Sequence, residues 1–176
     1  MTSSMSIDNI PWHRLTTAYG KGTKIPTLIE AKQYHQLAAL IEHQSTLWQV
    51  TPWVLLVLLN RLPEQPLEQL SMEELLLYKA VASVIPLEEM SPERAVASLD
   101  ELLDERYLWP LDEEESELEW EKDEPKGYDP QAFLSYYYFS YILLCDAIPL
   151  FKTLMTHQPE QRELLEELVG LLQPEG

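Results

Sequence analysis

The chain is poor in the groups that cross-link a fold. Its 176 residues include one cysteine, Cys145, which excludes an internal disulfide and a cysteine-built metal cluster. Set in an apolar stretch without a low-pKa signature, that thiol is expected to be a small buried hydrophobe. Cations are scarce too. Twelve Lys and Arg stand against 30 Asp and Glu, giving a formal net charge of −18 and a pI near 4.4. Nucleic acid and anionic lipid are both bound by Lys and Arg that replace counterions, so direct contact with either is not expected. Glycine numbers only five. Gly20-Lys21-Gly22-Thr23 lacks the upstream glycine and the preceding strand of a phosphate loop, and reads as a turn. The longest strongly apolar run, Trp53 to Leu59, is far short of the roughly 20 residues needed to span a bilayer, and residues 1–11 show no signal-peptide pattern. The expectation is a soluble, cytoplasmic protein with no membrane contact.

What the chain has in excess is acid, and the acid is concentrated. Between Glu88 and Glu124 there are sixteen acidic residues and three basic ones, a net of −13, whereas residues 1–87 carry seven acids and six bases. Self-repulsion on that scale destabilises a compact state but speeds encounter with a positive partner.

Apolar spacing and stop signals give helices with no strand alternation, so the expected class is all-α. Length and a 45% hydrophobic content suit a single helical domain over 1–176. Pro26 opens a helix running to about His43 with Ala31, Tyr34, Leu37, Ala38 and Ile41 on one face. Thr51 and Pro52 start a second, apolar all round from Trp53 to Leu59 and expected at the buried centre. Ser71 and Glu74 form a capping box for a third, which Pro86 stops. Ser91 and Pro92 open a fourth to about Arg106, facing inward through Val96, Leu99 and Leu103. Residues 108–128 show neither period and read as a long acidic loop. Asp129 and Pro130 start the longest helix, to about Ala147, where Phe133, Tyr137 and Tyr141 are expected to face the core and Tyr136 and Tyr138 to be the more exposed pair. A last amphipathic helix, from Glu160 to Leu172, places Leu164, Leu165, Leu168 and Leu171 on one side.

The stretch Ile10-Pro-Trp-His-Arg-Leu-Thr-Thr-Ala-Tyr-Gly20, then Ile25-Pro26, His43-Gln-Ser-Thr46 and Thr51, resembles a group of bacterial HEAT-repeat-like proteins. The matching positions are Trp12, Ala18, Tyr19, Gly20, Ile25, Pro26, His43, Gln44, Thr46 and Thr51, with Ser45 in place of the usual glycine. The match covers roughly residues 10–62. It implies a helix-pair scaffold and carries no catalytic residues; for the whole chain the expected fold is a HEAT-like stack of about six helices with the acidic loop projecting from one edge. Small acidic helical chains of this kind are also similar in style to immunity proteins of bacterial toxin systems.

No constellation points to catalysis. His35 and His43 are eight apart, not the i, i+4 spacing that puts two imidazoles on one metal. His43 reads as the C-terminal end of a helix. The acids lack the Asp-x-Asp-x-Asp-Gly order of a calcium loop. No enzyme activity, cofactor or metal is expected. The acidic segment reads either as a solvated face or as a docking surface for a basic protein, with Trp109 and Trp120 as apolar anchors. The candidate partner-binding set is Trp109, Asp112, Glu113, Glu114, Glu115, Glu117, Glu119, Trp120, Glu121, Asp123, Glu124, Tyr136 and Tyr138. The leading expectation is an immunity protein that occludes the cleft of a basic toxin, a nuclease or an ADP-ribosyltransferase. The alternatives are a structural adaptor or secretion chaperone working through the aromatic helix, and a nucleic-acid mimic.

Overall fold

In the computed structural model residues 5–174 are described; the ends of the expected 1–176 domain, and the first four residues of the 1–11 stretch, lie outside them. The described residues form eight α-helices, several short 3-10 turns and two small hairpins, so the chain is mainly helical as its periodicity predicts.

Two 3-10 turns, Ile7–Asn9 and Trp12–Arg14, lead into the hairpin β1 (Thr16–Thr17) and β2 (Gly20–Lys21), whose turn uses Gly20 at φ +120°. The helix expected from Pro26 to His43 is broken into α1 (Ile25–Glu30) and α2 (Tyr34–Ile41), because Lys32 between them adopts φ +56°. The chain then enters a second hairpin, β3 (Glu42–His43) and β4 (Thr46–Leu47), turned by Gln44 and Ser45 at φ +51° and +67°. His43 is therefore a strand residue, not a helix end, and Tyr19 of the first hairpin rests edge-on against its ring.

Helix α3 (Thr51–Arg61) has Pro52 in its first turn, and every residue from Thr51 to Leu59 is buried. Thr51 Oγ1 ties the entry together by donating to Ile41 O (2.6 Å) and accepting from Trp48 N–H (2.9 Å). An apolar cylinder of this kind must be covered on all sides. Its widest cover is α6 (Pro130–Asp146), while α4 (Met72–Ser83) packs between α2 and α8 (Arg162–Leu172), with α7 (Ile148–His157) along α8. Pro149 falls in the first turn of α7, so the expected proline break makes a separate helix there. No single helix among the described residues is long and apolar enough to cross a membrane, and α6 and α7 meet at a bend of 46°.

The helix expected from Pro92 to Arg106 is absent. Val96 N–H donates to Ser135 Oγ of α6 (2.9 Å), which holds this stretch in a non-helical path, and only a 3-10 turn, Leu99–Leu103, forms further on. Leu102 takes the buried place, with Leu99 and Leu103 half-buried.

Ser71 caps α4 as its pattern predicts, accepting from Glu74 N–H (3.1 Å). Glu74 does not complete the box. Its carboxylate is buried between Tyr78, whose hydroxyl donates to it, and Tyr34. Burial raises its pKa above the ordinary 4.5, outweighing the opposite effect of the tyrosine hydrogen bonds. With the folded value raised, folding favours the protonated acid over the carboxylate. Its stabilisation is complete below about pH 4.5 and is lost as pH rises through the folded value. Glu74→Gln removes the ionisable group, so the variant should melt higher than wild type at pH 7 and match it near pH 4. Each kcal/mol would read as about 2–4 °C in a chain of this size. A lower melting temperature for Glu74→Gln at pH 7 would mean that the tyrosine pair needs the charge.

Candidate functional site

The acidic segment expected as a loop over 108–128 holds a helix at its centre. Residues Glu113–Trp120 form helix α5, capped by Asp112, whose carboxylate accepts from Glu115 N–H (3.0 Å). Glu113, Glu114 and Glu115 fill the first turn, where the positive end of the helix dipole offsets part of their mutual repulsion. The propensity gain of one short charged helix is small, and packing supplies the rest.

That packing starts at Trp109, which is fully buried. Its backbone is fastened to the N-terminal segment by two bonds of 2.8 Å: Trp109 N–H donates to Arg14 O, and Arg14 Nε–H donates to Trp109 O. The Arg14 guanidinium also grips both carboxylate oxygens of Glu105 (2.6 and 3.1 Å), and this hydrogen bond holds the Glu105 carboxyl below its usual range. Trp120 tilts over Trp109 with ring centres 4.6 Å apart. Tyr128 sits at the centre of the aromatic group, within 6.1–6.5 Å of Trp48, Trp109, Trp120, Phe133 and Tyr136. Its hydroxyl bonds Thr16 Oγ1, and burial pushes its pKa up.

The two ends of α5 are held as well. Ser116 Oγ donates to Pro110 O (2.9 Å), and the buried Glu119 carboxylate accepts from Lys122 Nζ (3.0 Å) and Lys126 N–H (3.1 Å). Beyond them Gly127, at φ +79°, packs so closely that a Cβ would meet Gln49 Nε2 at 2.1 Å. Gln49 itself joins the hairpin to this region, accepting from Thr16 N–H (3.0 Å) and donating to Tyr107 O (2.8 Å).

The outer face presents Asp112, Glu113, Glu114, Glu115, Glu117, Glu121, Asp123 and Glu124 to solvent. Among these carboxylates stand three exposed apolar side chains, Leu111 (65%), Leu118 (60%) and Trp120 (45%). The structure thus brings most of the sequence-predicted acids together on one short helix and its flanks. It withdraws three of the other expected positions. Trp109 is the seat of the helix and not a surface anchor; Glu119 is spent on internal bonds; Tyr136 is buried with its hydroxyl donating to Gly127 O (2.5 Å). Tyr136 lies on the buried stripe of α6 with Ala132, Ser140 and Leu143, and the loop just before the helix closes over its hydroxyl, whereas Phe133 and Tyr141 of the expected core face are half-buried. Tyr138 is half-buried against Phe139 and lines a separate apolar groove with Val96, Leu99 and Ile142.

Sequence reasoning missed Leu111, Leu118, Arg14 and Tyr128. The Asp112-x-x-Glu115 spacing is a start signal that marks α5 without the structure. No comparable signal marks Arg14, whose partners lie more than 90 residues away. Among the described residues no group of three His, Cys, Asp or Glu side chains is placed to hold a metal ion. The chain matches no family model, no curated protein and no solved structure.

Proposed function

We propose that the chain is a protein-binding module that docks a basic partner on the outer face of α5, and that it serves as an immunity protein neutralising a basic toxin. The observation that carries this reading is the set of exposed Leu111, Leu118 and Trp120 among carboxylates, on a helix fastened to the core. Exposed apolar groups rimmed by charge suit an interface in which the charges steer encounter and the apolar side chains hold the complex. Enzymes that act on nucleic acid or nucleotides carry positive clefts because they bind phosphate, which makes a nuclease or an ADP-ribosyltransferase the fitting target. The work is then occlusion, with no catalytic residue of its own, in the cytoplasm where such a toxin acts.

We read the scaffold as a HEAT-like arrangement. The pairing of α1 with α2 and of α7 with α8, and the packing of α4 between α2 and α8, support this reading, as does the resemblance over residues 10–62. The adaptor reading has one observation in its favour, the apolar groove of about 430 Å³ between α6 and the Leu99–Leu103 turn, where Tyr138 and Phe139 lie. An adaptor held by that groove would bind almost equally at low and high salt.

The test is genetic and chemical together. The protein that the chain retains from its native host should be basic, should arrest growth when expressed alone, and should be tolerated when the chain is co-expressed. A retained partner that is acidic, or growth arrest that the chain does not relieve, would contradict the proposal.

A further inference from the structure

We infer that the cleft between α5 and strand β2 is a receptor for one arginine side chain of the docked partner; this rests on the basic-partner reading above and names its central contact. Glu113, Ser116, Glu117 and Trp120 follow one another at i, i+3, i+4 and i+7, so a single face of α5 forms one wall. The hairpin residues Thr16, Gly20 and Lys21 form the other, and the space between is about 310 Å³. Trp109 lines the cleft, and its Nε1–H is buried without a hydrogen-bond partner among the described residues. A buried N–H left unpaired costs free energy; the guanidinium, which has donors only, does not relieve it, and a backbone carbonyl of the docked chain is the acceptor that can.

The chemistry of the wall selects its guest. Trp120 offers an indole beside two carboxylates one helical turn apart. A planar guanidinium stacks on an aromatic face while its N–H groups reach carboxylates in pairs, and it sheds water more readily than an ammonium. Glu113 and Glu117 are both exposed, and among the described residues no internal bond holds either carboxylate as Lys122 and Lys126 hold that of Glu119. Lys21 lines the same cleft and gives the inference a sign. Its ammonium repels a second cation, so removing it must tighten binding of arginine and weaken binding of an anion.

The experiment uses the full chain and N-acetyl-arginine amide, followed through the indole N–H resonances of Trp109 and Trp120, with N-acetyl-glutamine amide as the neutral control. Saturable shifts with the arginine probe are expected at concentrations on the order of millimolar. Glu113→Gln with Glu117→Gln should weaken binding by about tenfold or more, and Lys21→Met should strengthen it a few-fold. Shifts that never saturate, equal shifts with the glutamine probe, or weaker binding in the Lys21→Met variant would each overturn the inference. If the probe fails while a basic host partner still associates in a salt-sensitive manner, the cleft assignment is wrong and the docking face stands. Loss of both would remove the two together. The substitutions lie on exposed or half-exposed positions, and a melt within a few degrees of wild type confirms that each variant is folded.

Discussion

Trp109→Ala should cost the fold about 3–5 kcal/mol, the usual range for truncating a fully buried tryptophan. A domain of this size holds about 5–15 kcal/mol in total, so a large share of its stability would go. The reason lies in the position of the ring. Trp109 is fully enclosed, it carries Trp120 at 4.6 Å, and it meets Tyr128 edge-on at 6.5 Å. Deleting it opens a cavity beneath α5 and removes the surface on which the helix rests. An isolated helix of eight residues is not stable in water, so α5 should lose its protection along with its seat. Urea unfolding should show a midpoint well below wild type. If the midpoint stays within error of wild type, Trp109 is peripheral to the fold and the acidic helix is held by other means.

The second large effect concerns association. The stretch from Glu88 to Glu124 carries a net charge of −13, and the exposed acids of α5 and its flanks lie within it. Electrostatic steering raises on-rates by about 10- to 1,000-fold at low ionic strength, and the Debye length falls from about 10 Å at 0.1 M salt to about 3 Å at 1 M. The on-rate with a basic partner should therefore drop by about 10- to 100-fold over that range towards the neutral value. Dissociation should change little with salt, because it depends on the apolar contacts of Leu111, Leu118 and Trp120.

How much of this was legible in the sequence differs from element to element. Helix α3 was, because Trp53 to Leu59 has no polar face to put outside and Thr51-Pro52 marks its start. The cap at Ser71 was also legible, but the inward turn of Glu74 was not, since Tyr34 on another helix meets it there. The break at Lys32 carries no glycine or proline to announce it. The false helix from Pro92 to Arg106 shows the converse. Ser91 caps no helix, since its hydroxyl donates to the Glu93 carboxylate, and a long-range bond from Val96 to Ser135 outweighs local propensity.

For the candidate site, the cluster of acids was plain from composition, and the Asp112-x-x-Glu115 start signal was present, but the density of charge weighed against a helix. Thirteen net negatives in one stretch argue for an extended, solvated loop until the seat beneath them is known. That seat is assembled from Arg14, Gln49, Trp109 and Tyr128, which no local pattern joins. Leu118 reads as an isolated apolar residue between two glutamates. Only the burial of Ser116 and Glu119 on the inner side shows that Leu118 faces out.

The central claim is that the outer face of α5 is where a basic partner docks. Its most direct measurement is the association rate with the host partner as salt is raised, for the wild-type chain and for a variant in which Glu114, Glu117 and Glu121 are replaced by Gln. All three positions are exposed, so the fold is retained. The account predicts that the wild-type rate falls steeply with salt, that the variant starts lower and falls less, and that the two converge near 1 M while dissociation stays similar. Equal salt dependence for the two proteins, or a wild-type rate that is flat in salt, would contradict it.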